Sequence, residues 1–161
     1  MFEPNPANIK VIKNNFRRKN VILINQGLYD CDRELKFELA DEDRNENTRV
    51  IEGDKEDLST IFHSMEHRAY MSFPVTSLDL VEECEDVTFL KLCVEGSEMR
   101  ALKGARETIK KRRPKLAVCI YHNNENMVRI IEYIHGLVPE YKLYVRHHTY
   151  NTDQTVMYAV L

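Results

Sequence analysis

The sequence predicts an α/β domain on a doubly wound, mostly parallel sheet that closes with an antiparallel strand pair. Three observations predict it. Apolar strand-like runs alternate with helical periodicity up to about residue 137, as parallel strands joined by helices require. The run Val21 to Ile24 is continuously apolar and mostly β-branched, which suits a strand buried on both faces. Two further strand-like runs, Tyr141 to Val145 and Thr155 to Leu161, are joined by the polar stretch His147 to Gln154, as in an antiparallel pair.

The elements follow in chain order. Asn5-Pro6 starts a helix, with Asn as cap and Pro at the first helical position. Ile9, Ile12 and Phe16 continue it at helical spacing. Leu35, Phe37 and Leu39 alternate with Lys36 and Glu38, so that segment reads as a half-exposed strand. Residues 41–57 are acidic and polar and read as a surface excursion. A weak helix over 58–68 and a strand over 69–75 come next. Ser77 to Cys84 reads as a short helix capped by Thr76. Val87 to Val94 is a strand. Ser97 caps a helix with Met99, Leu102, Ala105 and Ile109 on its apolar face, and Pro114 stops it. Leu116 to Tyr121 is a strand. Met127, Ile130, Ile131 and Ile134 mark a helix that ends near Gly136.

Composition bounds the function. The 161 residues, 43% hydrophobic and 30% charged, are enough for one soluble globular domain with a core. A net charge of -3 gives no basic footprint for nucleic acid. The local run Lys110, Lys111, Arg112, Arg113 and Lys115 fits a solvated helix end, with an anionic contact as the alternative. No apolar run is long enough to span a membrane, and the first residues lack a secretory pattern. Cys31, Cys84, Cys93 and Cys119 form no C-x-x-C pair and read as buried free thiols in a reducing cytoplasm.

Three stretches carry a family resemblance. They are Phe2-Glu3-Pro4-Asn5-Pro6; Pro74-Val75-Thr76-Ser77-Leu78-Asp79; and Leu90-Lys91-Leu92-Cys93-Val94-Glu95-Gly96-Ser97-Glu98, continuing through Leu102-Lys103-Gly104-Ala105. Arg113-Pro114-Lys115-Leu116 and Tyr121-His122 fit the strand that follows. Together they resemble the FkbM type of S-adenosylmethionine-dependent methyltransferase over nearly the whole chain. The resemblance implies a Rossmann-like methyltransferase sheet, and methyl transfer from S-adenosylmethionine to a hydroxyl of a small-molecule acceptor, a sugar or secondary metabolite. The chain then reads as a single, N-terminally incomplete domain over 1–161, lacking the first strands. The expected glycine-rich loop is absent: the five glycines stand at 27, 53, 96, 104 and 136. Weak or no cofactor binding by this chain is therefore expected.

The resemblance also implies site residues. Ligands of open α/β sheets bind beyond the carboxyl ends of the strands. Glu3 follows the family's second strand, where a carboxylate accepts from both ribose hydroxyls; the alternative is a carboxylate that stabilises a helix start. Gly27 and Leu28 lie in the loop that passes the adenine, or Gly27 is an ordinary turn glycine. Glu95 and Glu98 flank a strand-to-helix turn at the active-site rim, where a carboxylate can position an acceptor hydroxyl or take its proton. For Glu98 the alternative is a first-turn residue facing the helix dipole. His122 ends a strand and is a candidate base, or a structural histidine. Cys93 stands where the family pattern has Asp. A thiol does not replace a carboxylate toward a hard cation, and Cys93 otherwise packs as a small hydrophobe. No metal ligand is assigned by the resemblance.

Two rivals remain. A non-catalytic methyltransferase-like remnant could act as a binding or dimerisation module, with exposed sheet edges pairing into a homo-oligomer. His63-Ser64-Met65-Glu66-His67 matches H-x-x-E-H, which on a helix places two histidines on one face for zinc and Glu66 as general base. The motif is short and lacks an evident third ligand.

Overall fold

Strand and helix alternate where the apolar periodicities are strongest, from residue 89 onward. A computed structural model describes residues 1–15, 20–39, 49–50, 69–150 and 153–161. The chain divides into two units, one of residues 1–27 and 33–75 and one of residues 28–32 and 76–161. The fold is α/β, as expected.

The second unit holds strands β5 (Phe89–Leu92), β6 (Lys115–Cys119), β7 (Lys142–His147) and β8 (Thr155–Val160) in the order β5-β6-β8-β7. Only β5 and β6 pair in parallel; β8 is antiparallel to both β6 and β7. The expectation of a mostly parallel sheet is thus corrected to a mixed one. The reason is topological. β5, β6 and β7 run the same way, but the reversed last strand inserts between β6 and β7. The closing antiparallel pair itself is present.

β6 is central, and Leu116 to Ile120 are all buried. Leu92, Val118 and Met157 stand in register across three strands and are at most 1% exposed. Three helices belong to this unit among the described residues, α2 (Glu98–Gly104), α3 (Arg106–Arg112) and α4 (Asn124–Leu137), and they pack on one another. Leu102, Ile109, Ile130 and Ile134 are fully buried; each such side chain contributes about 1.5–3 kcal/mol of burial. The helix expected from Ser97 to Pro114 breaks at Ala105, and Arg113 ends it in a left-handed conformation before the proline. Asn123 caps α4 through its side chain.

Ser97 does not cap α2 with its hydroxyl. The helix expected over Ser77 to Cys84 is two 3-10 turns, Leu78–Leu80 and Glu82–Cys84, with no Thr76 cap. The polar side chains there are used elsewhere. Ser77 Oγ donates to the Gly104 carbonyl at 2.6 Å, and the Asp79 carboxylate accepts from the Glu107 and Thr108 amides at 2.9 and 2.8 Å. Asp79 therefore caps α3 from outside it.

In the first unit, α1 (Pro6–Asn15) begins as expected, with Asn5 Oδ1 accepting from the Ala7 amide. The run Val21 to Ile24 is not a buried strand. It makes one parallel bridge, between Phe2 and Ile24, and Val21 and Ile22 are exposed. Among the described residues its backbone hydrogen bonds run to Met1 and Glu3. β2 (Arg33–Leu39) and β4 (Ala69–Ser77) pair antiparallel, with Phe37 against Phe73 at their buried centre. Arg49 and Val50, read as part of a surface excursion, form β3 beside β2. Gly27–Tyr29 form β1, of which Leu28 and Tyr29 fall in the second unit, and the strand order is β1-β4-β2-β3. The rest of 41–57, the helix expected over 58–68 and the motif from His63 to His67 lie outside the described residues. So does Phe16.

Candidate functional site

Parallel pairing of β5 and β6 places two chain segments side by side at the strands' carboxyl ends. Leu92 faces Val118, so the residues that follow β5 (Cys93, Val94, Glu95) emerge beside those that follow β6 (Ile120, Tyr121, His122). This is where open α/β sheets hold ligands.

The turn after β5 is built from two left-handed residues, Glu95 with φ 49° and Gly96 with φ 96°. Glycine adopts this region freely. For Glu95 it costs about 1–3 kcal/mol, a strain that recurs at functional positions. Glu98 then folds back on the turn. Its Oε1 accepts from the Val94 amide at 2.9 Å and the Gly96 amide at 3.4 Å. The same oxygen meets His122 Nδ1 at 2.8 Å. Because Oε1 already accepts two N–H groups, the imidazole must donate to it through Nδ1. Nε2 is then left facing Glu95 Oε2 at 3.5 Å, which is ion-pair contact and not a hydrogen bond. Among the described residues, buried Nε2 and buried Glu98 Oε2 have no hydrogen-bond partner. Unpaired buried polar atoms are uncommon and mark places where a ligand can complete the bonding.

The electrostatics follow from this packing. Burial pushes the His122 pKa down, but the Glu98 hydrogen bond and the charges of Glu98 and Glu95 outweigh it, and the net direction is up. Burial raises the Glu95 carboxyl; His122 opposes this and Glu98 adds to it. Cys93 lies beside the same ring. Its Sγ is 3.7 Å from the Tyr121 hydroxyl, and contact with the Cys119 thiol draws its pKa down while Cys119 goes up.

Three of the residues singled out in the sequence, Glu95, Glu98 and His122, are thus one cluster. Glu98, in the first turn of α2, is fully buried within it. Tyr121, which the sequence places at the end of a strand immediately before His122, borders the same cluster through Cys93. Cys93 packs half-buried against the cluster. Cys93, Glu95 and His122 each bring a donor atom within 4.8 Å of the others, a convergence the sequence does not reveal, because His122 lies 27 positions beyond Glu95 and 29 beyond Cys93.

Glu3 belongs to the first unit. Its Oε1 accepts from the Asn5 amide at 2.9 Å and from Asn8 Nδ2 at 3.2 Å, so it braces the start of α1. Gly27 is also in that unit. A Cβ there would meet Val75 Cγ1 at 3.2 Å and Pro4 at 3.6 Å, so the position is closely packed. Leu28, in the second unit, is buried. Of the four cysteines Cys119 alone is buried, not the whole set as expected. No helix among the described residues is long and apolar enough to cross a membrane.

Comparison with known proteins agrees with this architecture. Residues 1–151 match the Methyltransferase FkbM domain family. The structure is similar to the crystal structure of methyltransferase FkbM from Methylobacillus flagellatus, with a TM-score of 0.71 and 25% identity. That match covers 99% of this chain and 36% of the other. No curated protein shows significant similarity to the sequence.

Proposed function

This chain belongs to the FkbM methyltransferase domain family, and from that premise we infer that it serves S-adenosylmethionine-dependent methyl transfer to a hydroxyl oxygen of a small-molecule acceptor. A sugar or secondary metabolite is the acceptor class that the family suggests. A doubly wound, Rossmann-like sheet for the complete domain belongs to the same reading. The observation that carries it is His122. Its Nδ1 is held by buried Glu98, and its buried Nε2 has no hydrogen-bond partner among the described residues.

When bound, the cofactor supplies an electrophilic methyl group on a sulfonium centre. Glu3 is the residue assigned to it. A half-buried carboxylate anchored through Oε1 by two donors is fixed in orientation and suits the paired ribose hydroxyls. The backbone at Gly27 and Leu28 is assigned to the adenine. With the cofactor bound, His122 Nε2 would take the proton that the acceptor hydroxyl gives up, while the sulfonium would lose its methyl group and leave as a neutral thioether. Glu98 stabilises the resulting imidazolium through Nδ1 and so acts as a positioning residue. Glu95, facing Nε2, orients the hydroxyl or shares the proton. General base catalysis of this kind is worth about 10²–10⁴-fold.

Calorimetric titration with S-adenosylhomocysteine tests the cofactor part. Binding that is lost in Glu3→Ala supports it; binding untouched by that substitution removes Glu3 from the site. Absence of binding, with cooperative thermal unfolding retained, favours a folded binding or dimerisation module that does not itself transfer methyl groups. For the base, the protein is incubated with radiolabelled S-adenosylmethionine and a panel of sugar and secondary-metabolite hydroxyls. His122→Asn should lower label transfer by roughly 10²-fold or more. Unchanged transfer overturns the role of His122.

A further inference from the structure

The cluster at the carboxyl ends of β5 and β6 contains a second kind of chemistry, which does not depend on the methyl-transfer reading. We propose that Cys93 Sγ, a Glu95 carboxylate oxygen and His122 Nε2 form a three-donor site for a borderline divalent cation, Zn²⁺ foremost, with a fourth position open to water.

Geometry is the first argument. The three donor atoms lie within 4.8 Å of one another, and the Glu95–His122 pair is already at 3.5 Å. Zinc bonds of about 2.0–2.3 Å in a tetrahedron put donors about 3.3–3.8 Å apart. Side-chain rotation alone closes the remaining difference, since Cys93 and Glu95 flank one turn after β5 and His122 follows the paired strand. The donor with the least freedom is the one already set. Nε2 is buried, lacks a hydrogen-bond partner among the described residues, and faces Glu95.

The surrounding shell is the second argument. Metal-bound histidines donate their other ring N–H to a carboxylate or carbonyl, which fixes both tautomer and ring plane. Glu98 does this here at 2.8 Å, and its own carboxylate is pinned by two backbone amides. The Tyr121 hydroxyl stands 3.7 Å from Cys93 Sγ and can donate to a thiolate. The donor set is the third argument. Sulfur, nitrogen and a single carboxylate suit Zn²⁺, whereas Mg²⁺ takes oxygen donors in an octahedron. Binding displaces the thiol proton to solvent and forms a zinc–thiolate bond without any change of oxidation state. The cation and an acceptor proton would compete for the same Nε2, so the loaded site is a distinct state from the base-competent one.

The test is metal binding by the chelator-treated chain, read without reference to methyl transfer. Stoichiometric Zn²⁺ uptake is expected by calorimetry, together with a thiolate-to-metal charge-transfer band when Co²⁺ is used. Cys93→Ser should abolish the band, and both Cys93→Ser and His122→Asn should weaken Zn²⁺ binding roughly tenfold or more. The double variant His63→Asn, His67→Asn should keep the band and the affinity. Zn²⁺ should also shield Cys93, but not Cys84, from alkylation by iodoacetamide in the unsubstituted chain. That last measurement needs no variant and decides the matter if Cys93→Ser fails to fold. A band that persists in Cys93→Ser, uptake lost only in the His63/His67 variant, or equal alkylation of Cys93 with and without Zn²⁺ overturns the proposal.

Discussion

His122 is the residue on which the site turns, and its pKa makes a prediction about the fold. In metal-free protein the ring faces Glu98 at Nδ1 and Glu95 at Nε2, with Cys93 alongside, and their combined pull raises its pKa despite burial. A raised imidazole pKa means that the folded state holds the proton more tightly than the unfolded chain does. The resulting stability is fully present below the ordinary imidazole value of about 6.5 and is lost as pH rises through the folded value. The unfolding midpoint of the chelated chain should therefore fall as pH rises from roughly 6 to 8. His122→Gln should flatten that slope. Glu98→Gln removes the charge that holds the ring and should also lower the His122 pKa, which NMR titration of the ring protons reads directly. An unchanged His122 titration in Glu98→Gln would show that the 2.8 Å contact does not govern the ring. These residues were legible one at a time in the sequence. Their coupling was not, because Glu98 sits 24 positions from His122 and only strand pairing joins them.

At the scale of elements, the Thr76-Ser77-Leu78-Asp79 stretch does structural work. Leu78 is buried, Ser77 ties to the Gly104 carbonyl, and Asp79 caps α3. Asp79→Ala should cost about 1 kcal/mol in urea unfolding, the usual value of a lost cap. Gly104 is constrained more tightly. A Cβ there would lie 1.9 Å from the Tyr29 carbonyl oxygen, a backbone atom that cannot rotate away. Gly104→Ala should destabilise by about 1–3 kcal/mol or more, as overpacking does. A loss within about 0.5 kcal/mol, the range of an ordinary surface change, would mean that the α2 segment slides freely past Tyr29. The helix ends near Asn5, Pro114 and Gly136 were readable because caps and prolines act locally. The break at Ala105 and the 3-10 turns after Ser77 were not, because they are set by Gly104 packing and by a cap supplied from another element.

For the whole molecule, the sequence carried the order of strands and helices after residue 86 but not their arrangement. Periodicity records which face of a strand is apolar, not which neighbour it takes. The reversed β8 therefore enters between β6 and β7 without any local sign, and the sheet is mixed. Its insertion has a measurable consequence. β6 is paired on both sides and buried from Leu116 to Cys119, whereas β5 and β7 are edges with Phe89, Tyr144 and Val145 exposed. Native-state hydrogen exchange should find the slowest amides of this unit in β6 and β8, with β7 faster along its unpaired side. Side-chain truncation should follow the same gradient. Met157 lies in β8 between Val118 and Val145 and is fully buried, so Met157→Ala should cost about 2–5 kcal/mol. Phe89→Ala, on the β5 edge, should change stability by only about 0.5 kcal/mol. Equal losses at the two positions would show that the Phe89 face is covered in the working protein, and that the edge of β5 is an interface.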